Sequence, residues 1–232
     1  MEPTVKDNLK AVLDSIAGIC SKRDIPETPK LVAVTKGVPV EKIRQAYDAG
    51  IRLFGENYIQ EALVKIEELS SLSDIQWHFI GSLQTNKVKK AVGKFALIQT
   101  VDRENLAFAI NKEAEKLGIK NYPVLIEVNL AGESSKSGVN PDKLLELITK
   151  IHQLEGIKIC GLMTIPPYSE NGEDSRQYFP KLREFKNQID SLKMDRVDIK
   201  ELSMGMSSDY IAAIEEGSTM IRIGRAIFGR RG

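Results

Sequence analysis

The sequence predicts an α/β fold, a (β/α)8 TIM barrel in which eight parallel strands alternate with helices. Three observations lead there. Short apolar runs rich in Val and Ile recur eight times. Longer stretches of helical period separate them in one repeating strand–helix order. The loop after the first run, Thr35-Lys36-Gly37-Val38-Pro39-Val40, holds a single glycine where a dinucleotide fold carries G-x-G-x-x-G. That disfavours the runner-up, an open doubly wound sheet. A chain of 232 residues lies within the usual range of a barrel.

The elements follow in order. Val5, Leu9, Val12, Leu13 and Ile16 recur at three- and four-residue steps and predict an extra N-terminal helix. It is expected to end near Gly18 or a little beyond, before the break at Asp24-Ile25-Pro26-Glu27-Thr28-Pro29. Strands are expected at 31–34, 52–54, 77–80, 96–99, 124–128, 159–163, 201–204 and 220–223. Helices are expected at 41–49, 58–69, 86–92, 104–117, 141–154, 175–192 and 208–216. Gly50, Gly93, Gly118, Gly156 and Gly217 stand where helices should close in the left-handed conformation. Only residues 225–232 follow the eighth strand, so the last helix should be short, with the N-terminal helix covering the structure in its place. No linker, low-complexity tract or composition shift interrupts the pattern, and residues 1–232 read as one domain.

Composition narrows the function. Thirty-three basic residues face thirty-two acidic ones, which argues against a dedicated nucleic-acid partner. No run of eighteen apolar residues predicts a membrane span. Met1-Glu2-Pro3-Thr4-Val5-Lys6-Asp7 lacks the charged-then-apolar signature of a signal peptide. The two cysteines, Cys20 and Cys160, make no disulfide framework, and a reduced cytoplasmic setting fits. Two histidines, His78 and His152, exclude a multi-histidine zinc site. His152 sits in a helical stretch and reads as an exposed or boundary residue.

Active sites of such barrels gather at the carboxyl ends of the strands. Lys36 directly follows the first buried run. A lysine partly desolvated at a barrel mouth is a better nucleophile, suited to Schiff-base formation with a carbonyl. The competing reading is a lysine that snorkels to the rim. After the seventh strand, Ser207-Ser208-Asp209 precedes a helix, as caps do, and the same N–H groups suit a phosphate. Gly205 would allow close backbone approach, and Gly224 would add a second set of N–H groups. Phosphate sites built from the last two loops recur in this fold. A lysine and a phosphate site on one face point to a phosphorylated aldehyde cofactor.

The chain resembles the pyridoxal 5′-phosphate (PLP) homeostasis protein family, single-domain relatives of the alanine racemase barrel. The resemblance rests on Ala33-Val34-Thr35-Lys36, Phe54-Gly55-Glu56-Asn57-Tyr58, Glu127-Val128-Asn129, Lys136-Ser137-Gly138, Gly161-Leu162-Met163-Thr164-Ile165 and Arg222-Ile223-Gly224. Two longer strings add to it, W-H-F-I-G-S-L-Q-T-N-K at 77–87 and L-S-M-G-M-S at 202–207, continuing into Ser208-Asp209. These stretches run from residue 31 toward the end of the chain.

The resemblance implies an alanine racemase N-terminal-domain-like barrel with PLP as cofactor. Lys36 would carry it as an internal aldimine. Arg222 would face the pyridine nitrogen. Ser207, Gly224 and the Arg225 backbone would hold the phosphate, with Ser203 nearby. Asn57 and His78 would line the ring's surroundings, and the plainer reading of His78 is a packed strand histidine beside Trp77. The implied role is control of free PLP and the vitamin B6 pool in the cytoplasm, with cofactor passed to apo-enzymes and a monomer as the expected state. Racemases of this group also need a second domain with a tyrosine base, and the sequence stops at Gly232. Little or no catalysis, and no catalytic residue set, is therefore expected. Lys136, in a glycine- and serine-bearing loop expected to be mobile, is a candidate second amine for transfer; its plainer reading is a solvated loop lysine. Two other readings stay open, a slow amino-acid racemase or other Schiff-base enzyme and an interaction module on a barrel scaffold.

Overall fold

A computed structural model describes residues 3–133 and 136–229. Its eight strands are β1 (Lys30–Val34), β2 (Leu53–Glu56), β3 (Gln76–Phe79), β4 (Leu97–Val101), β5 (Tyr122–Glu127), β6 (Ile157–Met163), β7 (Val197–Ser203) and β8 (Met220–Ile223). Each pairs in parallel with the next, and β1 pairs with β8, Val32 opposite Arg222, so the sheet closes into a barrel. The expected (β/α)8 architecture is the one observed. The helices are α1 (Val5–Lys22), α2 (Val40–Asp48), α3 (Ile59–Glu68), α4 (Val88–Ala91), α5 (Glu104–Lys116), α6 (Leu144–Ile151), α7 (Phe179–Ser191), α8 (Tyr210–Glu215) and α9 (Arg225–Phe228). None of them is long and apolar enough to cross a membrane.

The alternation of side chains along each strand sorts the apolar residues into two cores. Val32, Leu97, Leu125, Met163 and Met220 point inward and fill the barrel. Ala33, Ile98, Val124, Ile126 and Leu162 point outward and join the larger core beneath the helices. Above the inner apolar residues, toward the carboxyl ends, the interior turns polar: His78, Gln99, Ser203 and Arg222 are all buried.

Several boundaries differ from the pattern-based expectation. The N-terminal helix runs four residues past Gly18, to Lys22. Buried Ile16 and Cys20 straddle the glycine, and their packing outweighs its low helix propensity. Thr4 caps this helix in a reciprocal box with Asp7. The stretches expected as single helices at 86–92 and 175–192 open as 3₁₀ turns, Thr85–Lys87 and Gly172–Tyr178, before α4 and α7. Gly156 is not among the left-handed glycines, although Gly50, Gly93, Gly118 and Gly217 are. Its N–H instead donates to Asn111 Oδ1 at 2.7 Å, tying the start of β6 to α5. His152 is the residue that closes α6, a boundary position as expected.

The short final helix is one turn, and α1 packs against it and against α8 and α2. Asn8 Nδ2 donates to Ile227 O at 3.1 Å, and the hydroxyls of Ser15 and Tyr210 lie 2.9 Å apart. The extra helix thus covers the side where the barrel's own last helix is shortest.

Candidate functional site

At the carboxyl ends of the strands lies a cavity of about 670 Å³. Lys36, Asn57, Ser207, Arg222, Gly224 and Arg225 all line it, together with Val34, Ile80, Ile165, Tyr168, Met206 and Ser208. Six of the expected site residues therefore share one wall. Three of the lining groups are cations and no carboxylate joins them, so the cavity favours an anionic guest.

Lys36 occupies the turn that leaves β1. It is half-buried, and its Nζ lies 5.7 Å from the centre of the Tyr58 ring. The turn is anchored from below by a group absent from the sequence-based reading. Lys65 of α3 is 6% exposed and donates to Thr35 O at 2.6 Å, Glu56 Oε1 at 2.7 Å and Glu61 Oε1 at 2.6 Å. Thr35 Oγ1 also donates to Glu56 Oε1 at 2.6 Å, and Gly37 N to Glu61 Oε1 at 2.6 Å. Burial still pushes the Glu56 carboxyl above its ordinary range, against the pull of Lys65 and Thr35. The four-residue spacing of Glu61 and Lys65 on one helix face was the available signal.

Arg222 rises from β8 and is 3% exposed. It has no carboxylate partner among the described residues. One guanidinium nitrogen donates to Ser203 Oγ at 2.6 Å and another to Thr164 O at 2.9 Å. Burial draws it down to about 10, which leaves it charged at neutral pH. Ser203 Oγ in turn donates to Gln99 Oε1 at 2.6 Å, and Gln99 Nε2 stands 3.0 Å from His78 Nδ1. A guanidinium can only donate. It therefore sets the direction of the whole chain: Ser203 gives its proton to Gln99, and Gln99 gives an amide proton to His78. That needs an unprotonated His78 Nδ1. Burial agrees, with Lys30 as a lesser cause, pulling His78 down to about 4.

His78 and Ser203 are therefore not on the cavity wall. Both lie beneath it, 5% and 0% exposed, as the support of Arg222. Gln99 and Thr164 belong to the same support and were missing from the sequence-based set.

The turn after β7 brings Ser207 to the cavity beside Gly224 at the start of α9. The first N–H groups of α9, which begins at Arg225, have no intrahelical acceptor. Asp209 holds the N-cap position of α8 as expected, but its side chain makes no capping hydrogen bond. Its Oδ1 accepts from Met206 N at 2.6 Å and folds the turn on itself. Gly205 permits this course at φ 95°, where a Cβ would come within 2.6 Å of Ala213 Cβ. The Arg225 side chain is exposed, and its guanidinium lies 5.7 Å from the centre of the ring of Tyr168, another residue of the cavity wall.

Lys136 sits on the same barrel face, in the wall of an adjoining chamber that it shares with Asn57. Its Nζ donates to Pro166 O at 3.2 Å and lies 3.3 Å from Glu133 Oε1. The expected mobility of its loop bears partly on Ser134 and Ser135, which lie outside the described residues. A larger groove, about 840 Å³, lies at the opposite end of the strands. Three of its four lysines, Lys30, Lys186 and Lys200, are paired with Glu201, Asp190 and Asp198, whereas Lys193 has no carboxylate partner among the described residues.

Residues 8–232 match the family model described as alanine racemase, N-terminal domain. A pyridoxal phosphate homeostasis protein of Aquifex aeolicus (strain VF5) is 48% identical over 226 residues, covering 97% of each chain. One from Schizosaccharomyces pombe is 43% identical over 203 residues, covering 87% of this chain and 84% of its own. Among solved structures, PipY of Synechococcus elongatus PCC7942 with PLP bound is 34% identical, with a TM-score of 0.84 over 97% of this chain and all of its own. An alanine racemase of Clostridium difficile 630 is 19% identical with a TM-score of 0.73, a likeness of fold, and this chain covers 57% of it.

Proposed function

Since the chain belongs to the pyridoxal phosphate homeostasis proteins, built on the alanine racemase N-terminal domain, we propose that it holds PLP in the upper cavity and serves PLP homeostasis. The observation that carries this reading is one cavity lined by both a lysine amine and a buried guanidinium, next to a backbone turn suited to phosphate. The donor set fits the group. Lys36 is the amine for the aldehyde. Ser207, Gly224 and the Arg225 N–H suit the phosphate. Arg222 would meet the ring nitrogen, and Asn57 would bound the ring's side.

When bound, PLP supplies an aldehyde that combines with amines and a ring that withdraws electrons. The protein's residues limit the second property. A guanidinium beside the ring nitrogen disfavours its protonation and weakens the ring as an electron sink. Ser203, Gln99 and neutral His78 hold that guanidinium from below and leave no acid near the nitrogen. Lys36 is the only amine among the described residues of the upper cavity's wall, and the second acid–base side chain there, Tyr168, is 67% exposed with its ring beside the Arg225 guanidinium. Proton transfer by a positioned group is worth roughly 10²–10⁴-fold in rate. We read the protein as a carrier with little or no turnover, acting as a monomer, that delivers PLP to apo-enzymes. Lys136 is the candidate second amine for that transfer.

The test is an absorption spectrum followed by borohydride reduction and peptide mapping. The purified protein should be yellow, with the label fixed on the peptide that contains Lys36. Lys36→Ala should lose the fixed label while retaining some PLP through its phosphate contacts. A label confined to other peptides would sink the assignment. For Lys136, unchanged PLP affinity and transfer rate in Lys136→Ala would leave only the solvated-lysine reading.

A further inference from the structure

Beside the upper cavity is a smaller chamber of about 200 Å³. Asn57, Ile80 and Ile165 line both spaces, so the chamber is a side pocket of the larger one. Glu127, the last residue of β5, forms part of its wall and is 5% exposed. Its Oε2 is fully buried and meets no hydrogen-bond donor among the described residues. A buried carboxyl without a partner is costly, and such a group in a native fold calls for a reason.

The charged groups around it do not supply the partner. Arg222, on β8, attracts Glu127 but spends its hydrogen bonds on Ser203 and Thr164. Asp102, after β4, repels it and is itself held by Arg103 and by the Gly138 N–H. Lys136 shares the chamber, yet its ammonium rests on Pro166 O and near Glu133. What is missing is a cation with hydrogens to donate, small enough for the chamber.

We propose that this chamber is a docking subsite for a primary ammonium group, received by Glu127 as a hydrogen-bonded ion pair. The inference rests on the PLP reading for its use. An aldehyde held on one amine passes to a new owner without release only through another amine, and an amine bound one residue's width from the Lys36 cavity is already positioned. The space accommodates a lysine side chain's tip or a small free amino acid. Burial pushes Glu127 up to about 7. At pH 6 most copies carry a proton and lack the charge, whereas at pH 8 most are ionised and an alkylamine is still an ammonium. The dissociation constant should therefore fall about tenfold from pH 6 to pH 8.

The experiment uses the full chain loaded with PLP and reduced with borohydride, so that added amines cannot react and only docking is read. Calorimetric titration with n-butylamine and with L-alanine represents the two sources, a side-chain amine and a free amino acid. Either one binding, with the tenfold pH trend, supports the subsite, and the tighter of the two identifies the source. Glu127→Gln, nearly isosteric and uncharged, should weaken that binding at least tenfold at pH 8. Tetramethylammonium, which has no hydrogen to donate, should not compete. No binding of either amine, or equal affinity in Glu127→Gln, would overturn the proposal. Should that variant not fold, the pH trend of the unmutated chain decides alone. Absence of any borohydride-fixed chromophore would instead remove the PLP reading, and the same titrations on untreated protein would still read Glu127.

Discussion

His78 and Glu127 titrate in opposite senses within one pH window, and the signs can be worked out. His78 falls to about 4 in the folded protein from an ordinary 6.5, so the unfolded chain binds its proton first and stability drops as pH falls from 6.5 to 4. Glu127 rises to about 7 from 4.5, so the unfolded chain loses its proton first and stability drops as pH rises from 4.5 to 7. Each effect is worth up to about 3 kcal/mol and they oppose each other. Thermal melts across this range should show Glu127→Gln gaining on the parent toward pH 7 and His78→Gln gaining toward pH 4. Differences flat with pH in both variants would contradict these assignments. At the cavity wall, Ser207→Asp sets a like charge beside the phosphate and should weaken PLP binding at least tenfold. Pyridoxal without phosphate should also bind far more weakly than PLP, measured by fluorescence titration, and equal affinities would refute the phosphate as the main anchor. Single residues differed in how far the sequence revealed them. Lys36 and Ser207 were legible because each stands where a strand-like run ends. The support of Arg222 was not, since Ser203 and Gln99 are 104 positions apart and meet only across the closed ring.

Elements carry the site as a unit. β1, β2 and α3 are locked together by Lys65, whose three acceptors come from Thr35, Glu56 and Glu61. Lys65→Met would strand a buried carboxyl and should cost about 3–5 kcal/mol. Urea denaturation measures this, and adding Glu56→Gln to the same chain should recover part of it. A loss under about 1 kcal/mol would mean that the pair is not what holds the turn. The strand–helix alternation was readable because buried parallel strands are near-continuous apolar runs and the helices between them keep one apolar face. The 3₁₀ openings of the 86–92 and 175–192 stretches were not, because a tighter first turn leaves the apolar period almost unchanged. The helix that runs on through Gly18 shows packing overruling local propensity.

For the whole molecule, the decisive contrast is between a carrier and an enzyme. Loaded protein should reactivate an apo-transaminase beyond what the same amount of free PLP achieves. Solvent deuterium should enter alanine and other amino acids at rates far below those of a racemase. Racemase-like exchange without extra reactivation would reverse the reading. The closed ring has a further consequence, for the birth of the chain. β1 begins at Lys30, yet its partner β8 begins only at Met220. A ribosome adds about 5–20 residues per second, so β1 waits roughly 10–40 s with one row of backbone N–H and C=O groups unpaired. An open strand edge recruits other strands, including those of neighbouring nascent chains. α1 cannot shield it in the meantime by docking in its final place, because its seats on α8 and α9 are made later still. The price of an edgeless barrel is a newborn chain whose first edge, at β1, stays bare until the ring shuts.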